Sequence, residues 1–178
     1  NNKVKNFYIT FSTKFGSKDT EFKKTNSKKA ISVPNGTAHF LEHLTFKMKG
    51  NVDATDYFVD LGSDVNAYTT FNVTCYEVFG YDKFKKNLET LLDFVQTPYY
   101  TKKMVEEEKG IITEEVKMYE DEIETKLIFK SFENMLHKDK TKNKISGSEE
   151  DVKSIELEDL ENAYKTFYHP SNMAIVVC

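Results

Sequence analysis

The residues best suited to chemistry fall in one short run, Gly36-Thr37-Ala38-His39-Phe40-Leu41-Glu42-His43-Leu44. On a helix, His39 and His43 stand one turn apart and share a face. Two imidazoles so placed can grip one zinc ion (Zn2+) at about 2.0–2.1 Å each. Glu42 sits beside His43 and three residues after His39, where a carboxylate reaches a water on that ion without being a ligand. Zinc lowers the pKa of such a water toward ~7, and the carboxylate removes its proton as it attacks a carbonyl. The order H-x-x-E-H is the inverse of the commoner H-E-x-x-H motif. A pair of ordinary helical histidines with a surface glutamate would read the same way, but two of the chain's four histidines fall here.

A catalytic zinc takes three protein ligands and keeps one open position. Residues 101–120 read as a long helix carrying Glu106, Glu107, Glu108, Glu114, Glu115 and Glu120. At about 100° per residue, Met104, Val105, Ile111, Ile112, Met118 and Tyr119 define one apolar stripe. Glu108 and Glu115 fall near its centre, two turns apart. An unpaired buried carboxylate is costly and is normally neutralised, paired or metal-bound. Glu115 as a ligand, with Glu108 orienting a histidine, would account for both. Snorkelling, or pairing to Lys103 or Lys109, would account for them too.

The elements that must position these groups are legible from periodicity. Alternation over residues 4–16 predicts a strand, and residues 17–29 read as a solvated, Lys-rich loop. Pro34-Asn35-Gly36 signals a turn, Thr37 is the expected N-cap, and residues 38–47 the expected helix. A second helix fits 54–61, ended by Gly62. Residues 64–70 and 73–80 read as a strand pair, the second buried on both faces. Helices follow at 84–95, with Pro98 after its end, at 101–120, from Ile123 to Leu136, and from Leu157 to Phe167. Residues 137–150 read as a loop and 173–178 as a final strand. The expected class is α+β, an antiparallel or mixed sheet backed by several helices.

Composition narrows the function classes. Hydrophobic residues make up 39% of the 178, with 14 Phe and 10 Tyr, enough for a packed core. The net charge is -4, which argues against a nucleic-acid binder. All 25 basic residues are Lys, so no arginine of this chain can serve as a planar anion clamp. No apolar run approaches the ~20 residues of a membrane span. Two distant cysteines, Cys75 and Cys178, make neither a disulfide framework nor a CxxC site, which fits a reducing, cytoplasmic setting. The chain begins without Met, and its last apolar run stops before any turn. It is therefore expected to be a single domain, residues 1–178, excised from a longer protein.

Three ordered blocks then add a resemblance: G-T-A-H-F-L-E-H-L-T-F-K, N-A-Y-T at 66–69 and E-K-G-I-I-T-E-E at 108–115. Together with Phe167-Tyr168-His169-Pro170-Ser171-Asn172-Met173, they resemble the pitrilysin/insulinase family of zinc metallopeptidases, bacterial members included, over nearly the whole chain. The resemblance implies His39 and His43 as ligands, Glu42 as general base, Glu115 as third ligand and Glu108 as supporting acid. It implies that Asn66, Ala67 and Tyr68 lie on an edge strand whose backbone pairs with an extended peptide substrate, by strand addition. It further implies a homologous C-terminal half or partner subunit that closes a chamber and carries Arg and Tyr groups. The implied activity is endopeptidase cleavage of short or unfolded polypeptides. A non-catalytic scaffold or regulatory subunit is the competing reading, although such subunits typically lose the H-x-x-E-H residues. The segment Phe46 to Ala54 lacks the family's common Gly-Thr step, and the spacing from His43 to Glu115 is slightly short.

Overall fold

The computed structural model describes residues 5–24, 28–50 and 52–178. In chain order the elements are β1 (Phe7–Thr13), β2 (Glu21–Lys23), β3 (Ala30–Ser32), α1 (Thr37–Thr45), β4 (Lys47–Met48), β5 (Val52–Asp53), α2 (Ala54–Leu61), β6 (Asp64–Thr69), β7 (Thr74–Gly80), α3 (Phe84–Gln96), α4 (Lys102–Asp121), α5 (Ile123–Met135), α6 (Glu149–Ser154), α7 (Leu157–Phe167) and β8 (Met173–Val177). The class is α+β. Four strands form one sheet in the order β6-β7-β1-β8, and every pairing is antiparallel. No helix among the described residues is long and apolar enough to cross a membrane.

Two apolar clusters hold the layers together. Ile9, Phe11, Tyr76 and Val78 of the central strands pack with Phe58 of α2 and Leu91, Phe94 and Val95 of α3. Phe40, Leu41 and Leu44 of α1 pack with Val105, Ile112 and Val116 of α4, Val152 of α6 and Leu160 of α7. Each fully buried Leu or Phe contributes roughly 1.5–3 kcal/mol. With Phe40, Leu41 and Leu44 fully buried, α1 cannot rotate, and the rest of its surface is fixed in direction. Central β7 is buried on both faces, as its broken alternation suggested.

The sequence expectations need correction at four places. The run 17–29 is not simply a solvated loop: β2 pairs with β3, and Phe22 packs edge-on against Phe167, centroids 4.9 Å apart. One aromatic in a polar run was enough to anchor a hairpin. Residues 25–27 of that run, and residue 4 of the expected first strand, lie outside the described residues. Thr37 is not the N-cap. Gly36 holds that place with φ +82°, and the Thr37 hydroxyl donates back to the Pro34 carbonyl at 2.8 Å. A Cβ on Gly36 would meet the Ser146 carbonyl oxygen at 2.1 Å, so the turn requires glycine on two counts. The same helix ends at Thr45, because Phe46 closes it as C-cap. Finally, the expected loop 137–150 gives way to α6 at Glu149, capped reciprocally by Ser148 and Asp151.

Candidate metal centre

The histidines of α1 face α4. Their rings lie 4.6 Å apart, centroid to centroid, at an interplanar angle of 63°. Glu108 and Glu115, two turns apart on α4, reach them from the other side. His43 lies between the carboxylates: Nδ1 is 3.0 Å from Glu108 Oε1, and Nε2 is 3.3 Å from Glu115 Oε2. His39 Nε2 is 3.6 Å from Glu115 Oε1, while its Nδ1 is buried without a partner. One ligand atom each from His39, His43 and Glu115 lies within 4.8 Å of the others. Among the described residues this is the one such group of His, Cys, Asp or Glu.

Those separations can be compared with zinc. Tetrahedral bonds of about 2.0–2.1 Å put neighbouring donor atoms about 3.4 Å apart. The histidine-to-Glu115 distances, 3.6 Å from His39 to Oε1 and 3.3 Å from His43 to Oε2, are near that value, and one ligand atom from each of the three residues lies within 4.8 Å of the others. Two imidazole nitrogens and one carboxylate oxygen are also a donor set that zinc accepts, leaving a fourth position open. The residues present therefore fit the ion.

The electrostatics follow from the same contacts. Burial alone would depress the His43 imidazole, but the Glu108 and Glu115 carboxylates outweigh it and raise its pKa to about 9. Hydrogen bonds to His39 and His43 hold the Glu115 carboxyl well below the usual carboxylate range. Burial pushes Glu42 up, against the hydrogen bond it accepts from Thr69 and the charge of the two histidines. Glu42 is only 8% exposed, and its Oε2 accepts from Thr69 Oγ1 at 2.6 Å.

The α4 stripe differs from the wheel drawn on sequence. Glu108 is 4% exposed and packs beside Val105, Ile112 and Val116, but Ile111, Met118 and Tyr119 are exposed. The shift has a cause in packing. Helix α4 is pressed between α1 and α6, and α6 was not anticipated, so the buried stripe moves toward Thr113 and Val116.

A cleft of about 700 Å³ opens beside His39, Glu42, His43 and Glu115. Ala67, Tyr68 and Thr69 line one side, and Phe129 and Lys130 of α5 the other. Asn66 lies one step back on β6, with its Oδ1 accepting from the Ala67 N–H at 2.9 Å. Strand β6 is an edge of the sheet among the described residues. Antiparallel pairing alternates between hydrogen-bonded and non-bonded pairs, and two backbone contacts set its phase. Thr70 N–H donates to the Val73 carbonyl at 2.8 Å, and Tyr8 and Cys178 exchange bonds at the far edge. Both give the same answer: Asp64, Asn66 and Tyr68 bond to β7, while Val65, Ala67 and Thr69 turn their main-chain groups to the open side. Sequence reasoning overlooked Thr69 as a contributor, although it closes the N-A-Y-T block, and it did not foresee that Tyr119 and Lys130 line the cleft.

Comparison with known proteins gives the family and the fold. The family described as Insulinase (Peptidase family M16) matches residues 27–149. An uncharacterized zinc protease, YmfH, of Bacillus subtilis (strain 168) is 42% identical over 170 residues, covering 96% of this chain and 40% of its own. The crystal structure of a protein described as an M16-like peptidase, from Alicyclobacillus acidocaldarius, superposes with TM-score 0.93 at 38% identity, over 98% of this chain and 40% of that one. The inactive domain of a peptidase M16 from Pseudomonas fluorescens shares the fold at TM-score 0.81 and 14% identity, over 98% of this chain and 41% of that one. The chain thus spans about 40% of the length of the first two.

Proposed function

Given that the chain belongs to the insulinase family, peptidase family M16, we propose that it is the metal-holding half of a zinc-dependent endopeptidase. The observation that carries this reading is the convergence of His39, His43 and Glu115 on one point beside a cleft. Fold alone could not carry it, because an inactive domain has the same architecture. His39, His43 and Glu115 would hold the zinc, and Glu108 would fix the His43 ring through Nδ1. Zinc bound there would supply Lewis acidity toward the scissile carbonyl and toward water. Glu42 would take a proton from the attacking water at Oε1, since Oε2 is engaged by Thr69, and pass it to the departing amine. An extended peptide would lie along β6, with its backbone bonded to Ala67.

The substrates proposed are short or unfolded polypeptides, admitted to a chamber that this half forms with a homologous C-terminal half or partner subunit. No arginine is available here to bind an anionic group, so that task would fall to the other half. The 178-residue chain by itself is therefore expected to cleave little, and robust cleavage by it alone would contradict the two-half reading. Cytoplasmic residence belongs to the same proposal, supported by two unpaired cysteines.

The test uses the full-length protein and its Glu42→Gln variant. The variant should keep about one zinc per chain by elemental analysis and lose cleavage of a fluorogenic peptide by at least about 100-fold. Turnover near wild type would remove Glu42 from the base role, and a wild-type protein without zinc would point to the scaffold reading.

A further inference from the structure

The two parts of the proposed site, the edge strand and the base, meet in Thr69. Its hydroxyl donates to Glu42 Oε2 at 2.6 Å, the short range of a charge-assisted O–H···O⁻ bond. Among the described residues it is the one side chain that donates a hydrogen bond to that carboxylate. By the alternation of the β6–β7 ladder, its main chain faces the open side of the sheet.

We propose that Thr69 is a positioning residue for Glu42, its hydroxyl fixing the carboxylate so that Oε1 is presented to the reacting water. The proposal rests on the peptidase reading above and deepens it. Hydrogen counting supports it. A threonine hydroxyl has one proton to give. The neighbouring Thr74 gives its own proton to the Phe15 carbonyl at 2.9 Å and could only accept from Thr69, but at 3.4 Å it is a far weaker acceptor than the Glu42 carboxylate at 2.6 Å, so the Thr69 proton goes to Glu42. The β-branched side chain is stiff at χ1, and the strand that carries it is bonded to central β7 along its length. The carboxylate is therefore held from a rigid element, as accurate placement of a reacting group requires. Nothing in this role uses the Thr69 backbone, which remains available to a peptide strand.

That separation gives the test. Thr69→Val in the full-length protein removes the hydroxyl and keeps shape, β-branching and main chain. Zinc per chain should stay at the wild-type value, KM for a fluorogenic peptide should stay within about twofold, and kcat should fall about tenfold. Thr69→Ser, which restores the hydroxyl, should recover kcat to within about threefold. If Thr69→Val does not fold, Thr69→Ala is read the same way. The proposal is overturned by unchanged kcat in the hydroxyl-free variant, by a loss that comes with lost zinc or an equal rise in KM, or by a serine variant as slow as the valine one. Failure of the peptidase reading would look different: wild-type protein would cleave no peptide or hold no zinc, before any Thr69 variant is compared.

Discussion

Glu108 Oε1 lies 3.0 Å from His43 Nδ1, so the ring nitrogen remote from Glu115 is held by a second carboxylate. That contact fixes the plane of the ring, and with a proton held at Nδ1 the neutral ring would offer Nε2 to a cation. Glu108→Ala should weaken zinc binding about 10–100-fold, measured by competition with a chromogenic chelator. Glu108→Gln, which retains an acceptor oxygen, should lose less. Equal affinity in all three proteins would mean that the contact merely accompanies the site.

The register of α4 yields a sharper contrast. Glu115 converges on the histidines, whereas its neighbour Glu114 is exposed and pairs with Lys117 at 2.8 Å. Exposed i,i+3 pairs contribute only a few tenths of a kcal/mol. Glu115→Ala should therefore abolish stoichiometric zinc after dialysis, while Glu114→Ala should keep it and move the thermal midpoint little. The reverse result would place the ligand one residue away and overturn the helix register.

What was legible in the sequence follows from how local each signal is. His39, Glu42 and His43 sit within about one turn of a helix whose apolar residues, Phe40, Leu41 and Leu44, are also local, so α1 and its polar groups could be read directly. Glu108 and Glu115 were legible as misplaced charges on an apolar wheel. The exposure of Ile111 and Met118 was not, because it depends on α6 docking against α4 from more than thirty positions away. The β2–β3 hairpin depends in the same way on Phe22 meeting Phe167. Thr69 escaped notice because its partner Glu42 is 27 residues distant and only the fold brings the two together.

Asp53 caps α2 at its N-terminus. Its Oδ1 accepts from Thr55 N–H at 3.0 Å, and its Oδ2 accepts from Lys47 at 3.1 Å. Burial would raise its pKa, but these bonds outweigh it and lower the value. A group depressed in the folded state stabilises the protein above its unfolded pKa of about 3.9, and that contribution is lost as pH falls through the folded value. Asp53→Ala should cost about 1 kcal/mol at pH 7, with the penalty shrinking below about pH 4. Asp53→Asn keeps a capping oxygen and should cost less at pH 7, with a flatter response to acid. Urea denaturation of the three proteins at both pH values provides the check, and a penalty independent of pH would show that the charge has no part in the cap.

The alternation along β6 can be tested without any assay of activity. Proline has no N–H, and strands tolerate it only where that donor faces away from the ladder. At Ala67 the N–H points to the open side and is occupied by Asn66 Oδ1, a local bond of the kind that guards an exposed strand edge. At Tyr68 the N–H belongs to the bonded pair with Cys75. Ala67→Pro should therefore fold with a modest loss of stability, whereas Tyr68→Pro should lose a further 1–3 kcal/mol or so, the cost of stranding a buried acceptor. Equal losses in urea denaturation would show that the phase is misassigned. If a peptide backbone does add to this edge, it must displace Asn66 Oδ1 from the Ala67 N–H, and the proline variant offers it no donor there. In the full-length protein KM should then rise about tenfold, the equivalent of roughly 1.4 kcal/mol, with kcat nearly unchanged. A KM equal to wild type would move the substrate off β6 while leaving the metal site intact.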